Sequence, residues 1–128
     1  MPITQNIKTQ MNAPGAAPMF ACRAWVNFDG TGAVGTNQTI RKGGNVASVF
    51  KNGTGDYTIN FSEAMPDEKY ALLISFTNPF SSSVSRNAGY ESATGYTVNG
   101  CRVVFWYMTD TGSQAYFDPD IVSIAAIA

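Results

Sequence analysis

The sequence predicts an all-β chain, an antiparallel sandwich or barrel, and three observations carry that prediction. Apolar residues recur with a period of two along several short runs, Gly, Asn and Asp cluster between those runs, and no longer window holds a helical period. The spacing of the turn signals gives about seven or eight strands. A chain of 128 residues has room for one such domain and not for two.

Residues 1–20 stand apart from this pattern. They are polar, with Pro14 and Pro18 near their end and no apolar run of signal-peptide length, so they read as an extended attachment arm or a frayed terminus ahead of a domain over 21–128. The first strand runs from Phe20, where Cys22, Ala24, Val26 and Phe28 alternate with Arg23, Trp25 and Asn27. Asp29-Gly30-Thr31-Gly32 ends it, and Ala33 to Gly44 reads as a loop. A second strand covers Asn45 to Lys51, and the positive-φ formers in Asn52-Gly53-Thr54-Gly55-Asp56 predict a hairpin. In the return strand Tyr57, Ile59 and Phe61 face inward, while Thr58, Asn60 and Ser62 leave one wet face.

Met65-Pro66-Asp67 interrupts the pattern, because proline lacks the donor that a central strand needs. From Tyr70 a further strand sets Tyr70, Leu72, Ile74 and Phe76 on the core side, and Leu73 on the other side implies partial cover there too. The Ser- and Asn-rich stretch from Asn78 to Gly89 reads as an exposed loop suited to variable contacts. Tyr96 to Val98 and Cys101 to Met108 form a hairpin about the Asn99-Gly100 pair. The closing IVSIAAIA is a last strand with a docked end.

Composition removes several function classes. Eight Lys and Arg against nine Asp and Glu leave a net charge of -1, so no field steers a phosphate backbone or an anionic membrane to this protein. There is no histidine, the usual general base near neutral pH and the commonest zinc ligand. Cys22 and Cys101 are far from any CxxC spacing and are read as one disulfide or two buried thiols, the thiols preferred. Asp118 and Asp120 offer two carboxylates to a calcium ion, but six to eight oxygens are needed, and an Asp/Pro turn is the better reading. Glu63, Glu68 and Glu91 are the only candidates for a glycosidase pair, and a linear sequence fixes no distance between them. No metal, cofactor or catalytic residue is therefore predicted, and the chain is expected not to be an enzyme.

The candidate contact residues are aromatic and loop side chains. Trp25 and Trp106 lie opposite the core face of their strands, and with Tyr90 and Tyr116 they suit subunit packing, ligand contact or core membership. Asn78, Phe80, Ser82 and Arg86 join them from the predicted loop as partner or receptor contacts.

Three blocks, in order, carry a family resemblance. Arg23 to Gly32 reads RAWVNFDGTG, Asn52 to Phe61 reads NGTGDYTINF, and Ala64 to Ala71 reads AMPDEKYA. They resemble the RAWVNFDGTG, NGTGDYTVNF and AMPDxxYA motifs of a β-domain in bacteriophage tail-fibre and other minor virion proteins, particularly of aquatic phages. These motifs are strand faces and turns, so no active-site residue carries over. The resemblance implies a jelly-roll-like β-sandwich knob, trimeric, held to the particle by the arm of residues 1–20. Its role would be host attachment as a tail-fibre or fibre-tip module, the alternative being a capsid decoration or other small tail protein. The expected partners are copies of itself, other virion proteins and a host-surface glycan or protein, with neither nucleic acid nor membrane. The expected location is the virion, assembled in the bacterial cytoplasm. The Ala33 to Gly44 connection is longer than in the family, which marks it as a partner-specific loop.

Overall fold

A computed structural model describes residues 20–77, 85–90 and 95–128. Ten strands are present among the described residues: β1 (Cys22–Phe28), β2 (Ile40–Gly44), β3 (Val46–Gly53), β4 (Asp56–Phe61), β5 (Ala71–Phe76), β6 (Arg86–Tyr90), β7 (Tyr96–Thr97), β8 (Gly100–Met108), β9 (Gln114–Tyr116) and β10 (Val122–Ile127). Sheet 1 has the order β2-β1-β10-β5. Sheet 2 has the order β3-β4-β8-β6, with β7 and β9 also paired to β8. Every strand pairing is antiparallel. The chain passes from β1 and β2 in sheet 1 to β3 and β4 in sheet 2, back to β5, across to β6 through β9, and back to β10. This alternation between two antiparallel layers is the expected all-β sandwich.

Alternation explains the core. Val26 and Phe28 of β1 and Val122 and Ile124 of β10 meet Val49, Tyr57, Ile59, Val103 and Phe105 of sheet 2. Tyr57 sits between Phe28 and Phe105 with edge-to-face rings at 5.3 and 5.8 Å, a geometry that the ring quadrupoles favour. A second cluster closes one end, where Met65 and Tyr70 pack on Ala24 and Ala126. There the Tyr70 hydroxyl lies 2.9 Å from the Thr97 carbonyl oxygen and 3.1 Å from that of Gly100. The last strand lies between β1 and β5, and Ala128 exchanges two backbone hydrogen bonds with Ala21.

Several expectations need correction. The predicted loop from Ala33 to Gly44 contains β2, and Asn45, placed in a strand by its sequence, is the corner between the sheets. It adopts φ 55°, which Asn tolerates, and its amide donates to the carbonyls of Arg23 and Glu63 at 3.0 and 3.1 Å. The predicted loop from Asn78 to Gly89 ends in β6, and residues 78–84 lie outside the described residues. Leu73 is exposed rather than partly covered, since no element of the described chain packs over that side of β5. The turn before β8 falls on Val98 and Asn99, so Gly100 is already paired with Asn60 and Thr97. Its glycine is needed for a close backbone approach, not for a turn. Gly55, by contrast, does adopt φ +66° in the β3-β4 hairpin, as its turn signal requires.

The cysteines are two free thiols, and only Cys101 is buried. Cys22 is exposed because a register shift between Cys22 and Ala24 takes it out of the inward alternation. Burial pushes the Cys101 thiol up to about 12, so it holds almost no thiolate near neutral pH. Native protein is therefore expected to release one equivalent of chromophore per chain with Ellman's reagent, and two after unfolding in urea. Two rapid equivalents from native protein would show that the β8 end of the core opens readily.

Candidate binding surface

The outer face of sheet 2 begins from the alternation of β8. Cys101, Val103 and Phe105 point into the core, so Arg102, Val104, Trp106 and Met108 point out. Trp106 is in register with Asn87 of β6 on one side and Tyr116 of β9 on the other. A Cβ on Gly89 would meet the indole Cη2 at 3.3 Å, so the ring extends over a position that has no side chain. Tyr116 is 50% exposed and Met108 is exposed beside it. This end of the face sets an exposed Tyr116 and Met108 around a half-buried Trp106.

The other end of the same face is polar. Arg102 grips Asp56 with two hydrogen bonds, Nε to Oδ1 at 2.8 Å and Nη2 to Oδ2 at 2.6 Å. The Arg102 hydrogen bond, partly opposed by burial, holds the Asp56 carboxyl below its ordinary range. Asn52 adds an amide donor to Asp56 at 3.1 Å and to the Thr58 hydroxyl at 2.8 Å. A shallow groove of about 260 Å³ follows, lined by Thr58, Asn60, Thr97, Asn99 and Arg102 among others. That is smaller than the roughly 300–1,000 Å³ of enclosed ligand pockets, so this face suits contact along a surface.

The predicted contact residues do not converge on one place. Trp106 and Tyr116 are brought together, whereas Trp25 lies on the outer face of sheet 1. Tyr90 is exposed at the end of β6, with its ring 5.1 Å from that of Tyr96. Arg86 is not a free loop contact, since its guanidinium lies 4.9 and 4.5 Å from the rings of Tyr107 and Phe117. Asn78, Phe80 and Ser82 lie outside the described residues. Asn87, Gly89 and the Arg102–Asp56 pair were missed by sequence reasoning. The alternation in CRVVFWYM marks Arg102 as outward, but only strand pairing brings the others to it.

Among the described residues the candidate carboxylates lie apart from one another. Glu63 lines a cavity with Arg23 and Asn45, Glu68 lines another with Tyr70 and Tyr96, and Glu91 lies outside the described residues. Asp118 is bound to Lys51 at 2.7 Å, while Asp120 accepts the Thr77 hydroxyl, so the two have separate partners. Among the described residues no three His, Cys, Asp or Glu side chains converge on a metal-sized site.

Fold and surface together define an all-β sandwich with an aromatic and polar outer face on sheet 2. Comparison with protein-family models, with curated proteins and with solved structures finds no match to this chain.

Proposed function

We propose that this chain is a bacteriophage virion structural protein, a fibre-tip type module that attaches the particle to a host-surface glycan or protein through the outer face of sheet 2. The observation that carries the reading is the exposed Tyr116 paired with the half-buried, outward-facing Trp106 beside a row of hydrogen-bonding groups. Aromatic side chains with large contact area and few torsions dominate recognition surfaces, and the polar groups beside them fix orientation. The ordered sequence blocks support the same reading, because they form β1 with its turn, the β3-β4 hairpin and the crossing into β5. The face needs no general base or metal for this role.

Two measurements test the proposal. Gold-labelled antibody on intact particles is expected to decorate the tail or its fibres. Trp106→Ala is expected to weaken binding of the isolated protein to host cells or purified envelope glycan by about tenfold or more. Absence of label from particles would overturn the virion role. A second reading, capsid decoration, is favoured by Phe20, a large apolar side chain exposed just ahead of β1. Label over the head, with no binding to cells, would select it.

A further inference from the structure

Every arginine of the chain is among the described residues, and they differ in what satisfies them. Arg102 holds Asp56 in two hydrogen bonds, Arg41 donates to the Asp120 carbonyl at 2.7 Å, and Arg23 donates to the Ala128 carbonyl at 3.2 Å. Arg86 has no such acceptor. Its Nε is buried without a hydrogen-bond partner, and its guanidinium forms no ion pair among the described residues. Its surroundings are aromatic, with the guanidinium carbon 4.9 Å from the Tyr107 ring centroid and 4.5 Å from that of Phe117. The two centroids are 6.3 Å apart, so the rings stand in nearly perpendicular directions from the guanidinium and wall it on two sides.

This arrangement satisfies the charge and not the donors. Ring quadrupoles attract a cation, but a ring face is only a weak acceptor for an N–H. A guanidinium keeps its proton at any working pH, so Arg86 cannot discharge itself as a buried lysine can. A buried N–H without a partner is rare in folded proteins and points to an acceptor that binds from outside. Asp118, next to Phe117 in the chain, is not that acceptor, because it is bound to Lys51 at 2.7 Å. The position is also within reach of a ligand. β6 is the edge strand of sheet 2, and Arg86, its first residue, is only partly buried. The next residue, Asn87, is in register with Trp106, so the outer face of sheet 2 is one residue away along the same edge.

We infer that Arg86, seated in the angle of Tyr107 and Phe117, is the binding site for the carboxylate of a sugar acid in the host-surface glycan. The guanidinium fork presents paired in-plane N–H donors, which two coplanar oxygens match. One carboxylate also balances one charge. A phosphate dianion would need a second cation, and Lys51 is already neutralised by Asp118. The carboxylate follows from the unpartnered guanidinium, whereas its source in a sugar rests on the attachment role proposed above. Tyr107 suits a sugar as well, since it is half-buried and its hydroxyl has no hydrogen-bond partner among the described residues. The ring that holds the guanidinium thus offers a contact to a sugar hydroxyl beside the carboxylate. Arg102 plays no part in this selection, because Asp56 occupies its fork.

Nitrogen–proton correlation spectra of the full chain, recorded as glucuronate or glucose is added, test this. The Arg86 Nε–H signal is assigned by its absence from Arg86→Met, which keeps an apolar stem against the rings and is expected to retain the native circular dichroism spectrum. Glucuronate is expected to shift that signal with a dissociation constant at least about tenfold lower than that of glucose. Arg86→Met is expected to abolish this advantage, followed on backbone signals, and Arg86→Lys, which keeps the charge without the fork, to lose most of it. Equal affinity for the two sugars would overturn the inference, and the wild-type protein alone decides that point. So would a preference for glucuronate that survives in both variants. N-acetyl-aspartate supplies a protein-type carboxylate, and binding at Arg86 as tight as that of glucuronate would overturn the assignment to a sugar. The attachment role fails separately: gold label on the tail without a glucuronate preference defeats this inference alone, and a glucuronate preference without label on particles defeats the virion role alone.

Discussion

Replacing Asp118 by alanine is expected to lower folding stability by about 3–5 kcal/mol, because it leaves a buried ammonium without a counter-ion. Lys51 alternates inward with Val49 on β3, and its side chain is 2% exposed. All three of its donors are used, on the Gly30 carbonyl at 3.1 Å, the Gly32 carbonyl at 2.7 Å and Asp118 Oδ2 at 2.7 Å. Only the last of these carries charge. Asp118 Oδ1 also accepts the Gly55 N–H at 2.8 Å, so the substitution removes a turn contact as well. The Tyr57 hydroxyl lies 2.7 Å from the Gly30 oxygen and 3.1 Å from Asp118 Oδ1. Burial, and then the neighbouring Asp118 charge, push its pKa well above the ordinary phenol value, so it remains a donor.

The opposite substitution is expected to be milder. Lys51→Met removes the buried charge itself and fills most of the volume. Asp118, whose side chain is 28% exposed, keeps Gly55 and gains water. The Gly32 carbonyl loses its lysine partner, and the expected cost is about 1–3 kcal/mol. In a double-mutant cycle followed by urea unfolding, Asp118→Ala is expected to cost less than half as much in the Lys51→Met background. Equal costs in the two backgrounds would show that the pair carries no coupling.

The same lysine illustrates where sequence reasoning stops. Period-two patterning identifies the strands that bury a face, as in β1, β4 and β8, because their inward residues must be apolar. β2, with the sequence IRKGG, and β6, with the sequence RNAGY, are edge strands that bury little, so they leave no such pattern. Gly43 admits β2 at close range, since a Cβ there would stand 2.9 Å from the Trp25 carbonyl oxygen. Nor does the sequence of β3 mark Lys51 as inward, because its partners come from the turn after β1 and from Asp118. The candidate surface divides in the same way. The exposure of Tyr116 and the outward position of Trp106 are legible from strand faces, but their adjacency depends on the pairing of β9 with β8.

Gly100→Ala is expected to destabilise by about 3 kcal/mol or more, at or beyond the upper end for an overpacked site. A Cβ at this position would stand 2.2 Å from the Ile59 carbonyl oxygen, 3.3 Å from its carbonyl carbon and 3.4 Å from the Asn60 Cα. These obstacles are backbone atoms of β4, so no side-chain rotation relieves them. Relief requires β4 and β8 to separate at the pair Asn60–Gly100, beside the buried Ile59 and Cys101. Moving Gly100 also disturbs its carbonyl, which lies 3.1 Å from both the Tyr70 hydroxyl and the Thr97 hydroxyl. The loss would thus spread to the cluster that closes this end of the core. Gly53 provides the control on the same sheet. It has no positive φ, and a Cβ there meets nothing within 4 Å. Gly53→Ala is therefore expected to be neutral or to stabilise by about 0.4–1 kcal/mol through the unfolded chain. Urea midpoints of the two variants separate the explanations. A general intolerance of alanine in sheet 2 lowers both, whereas a backbone approach specific to Gly100 lowers one and leaves the other level or raised.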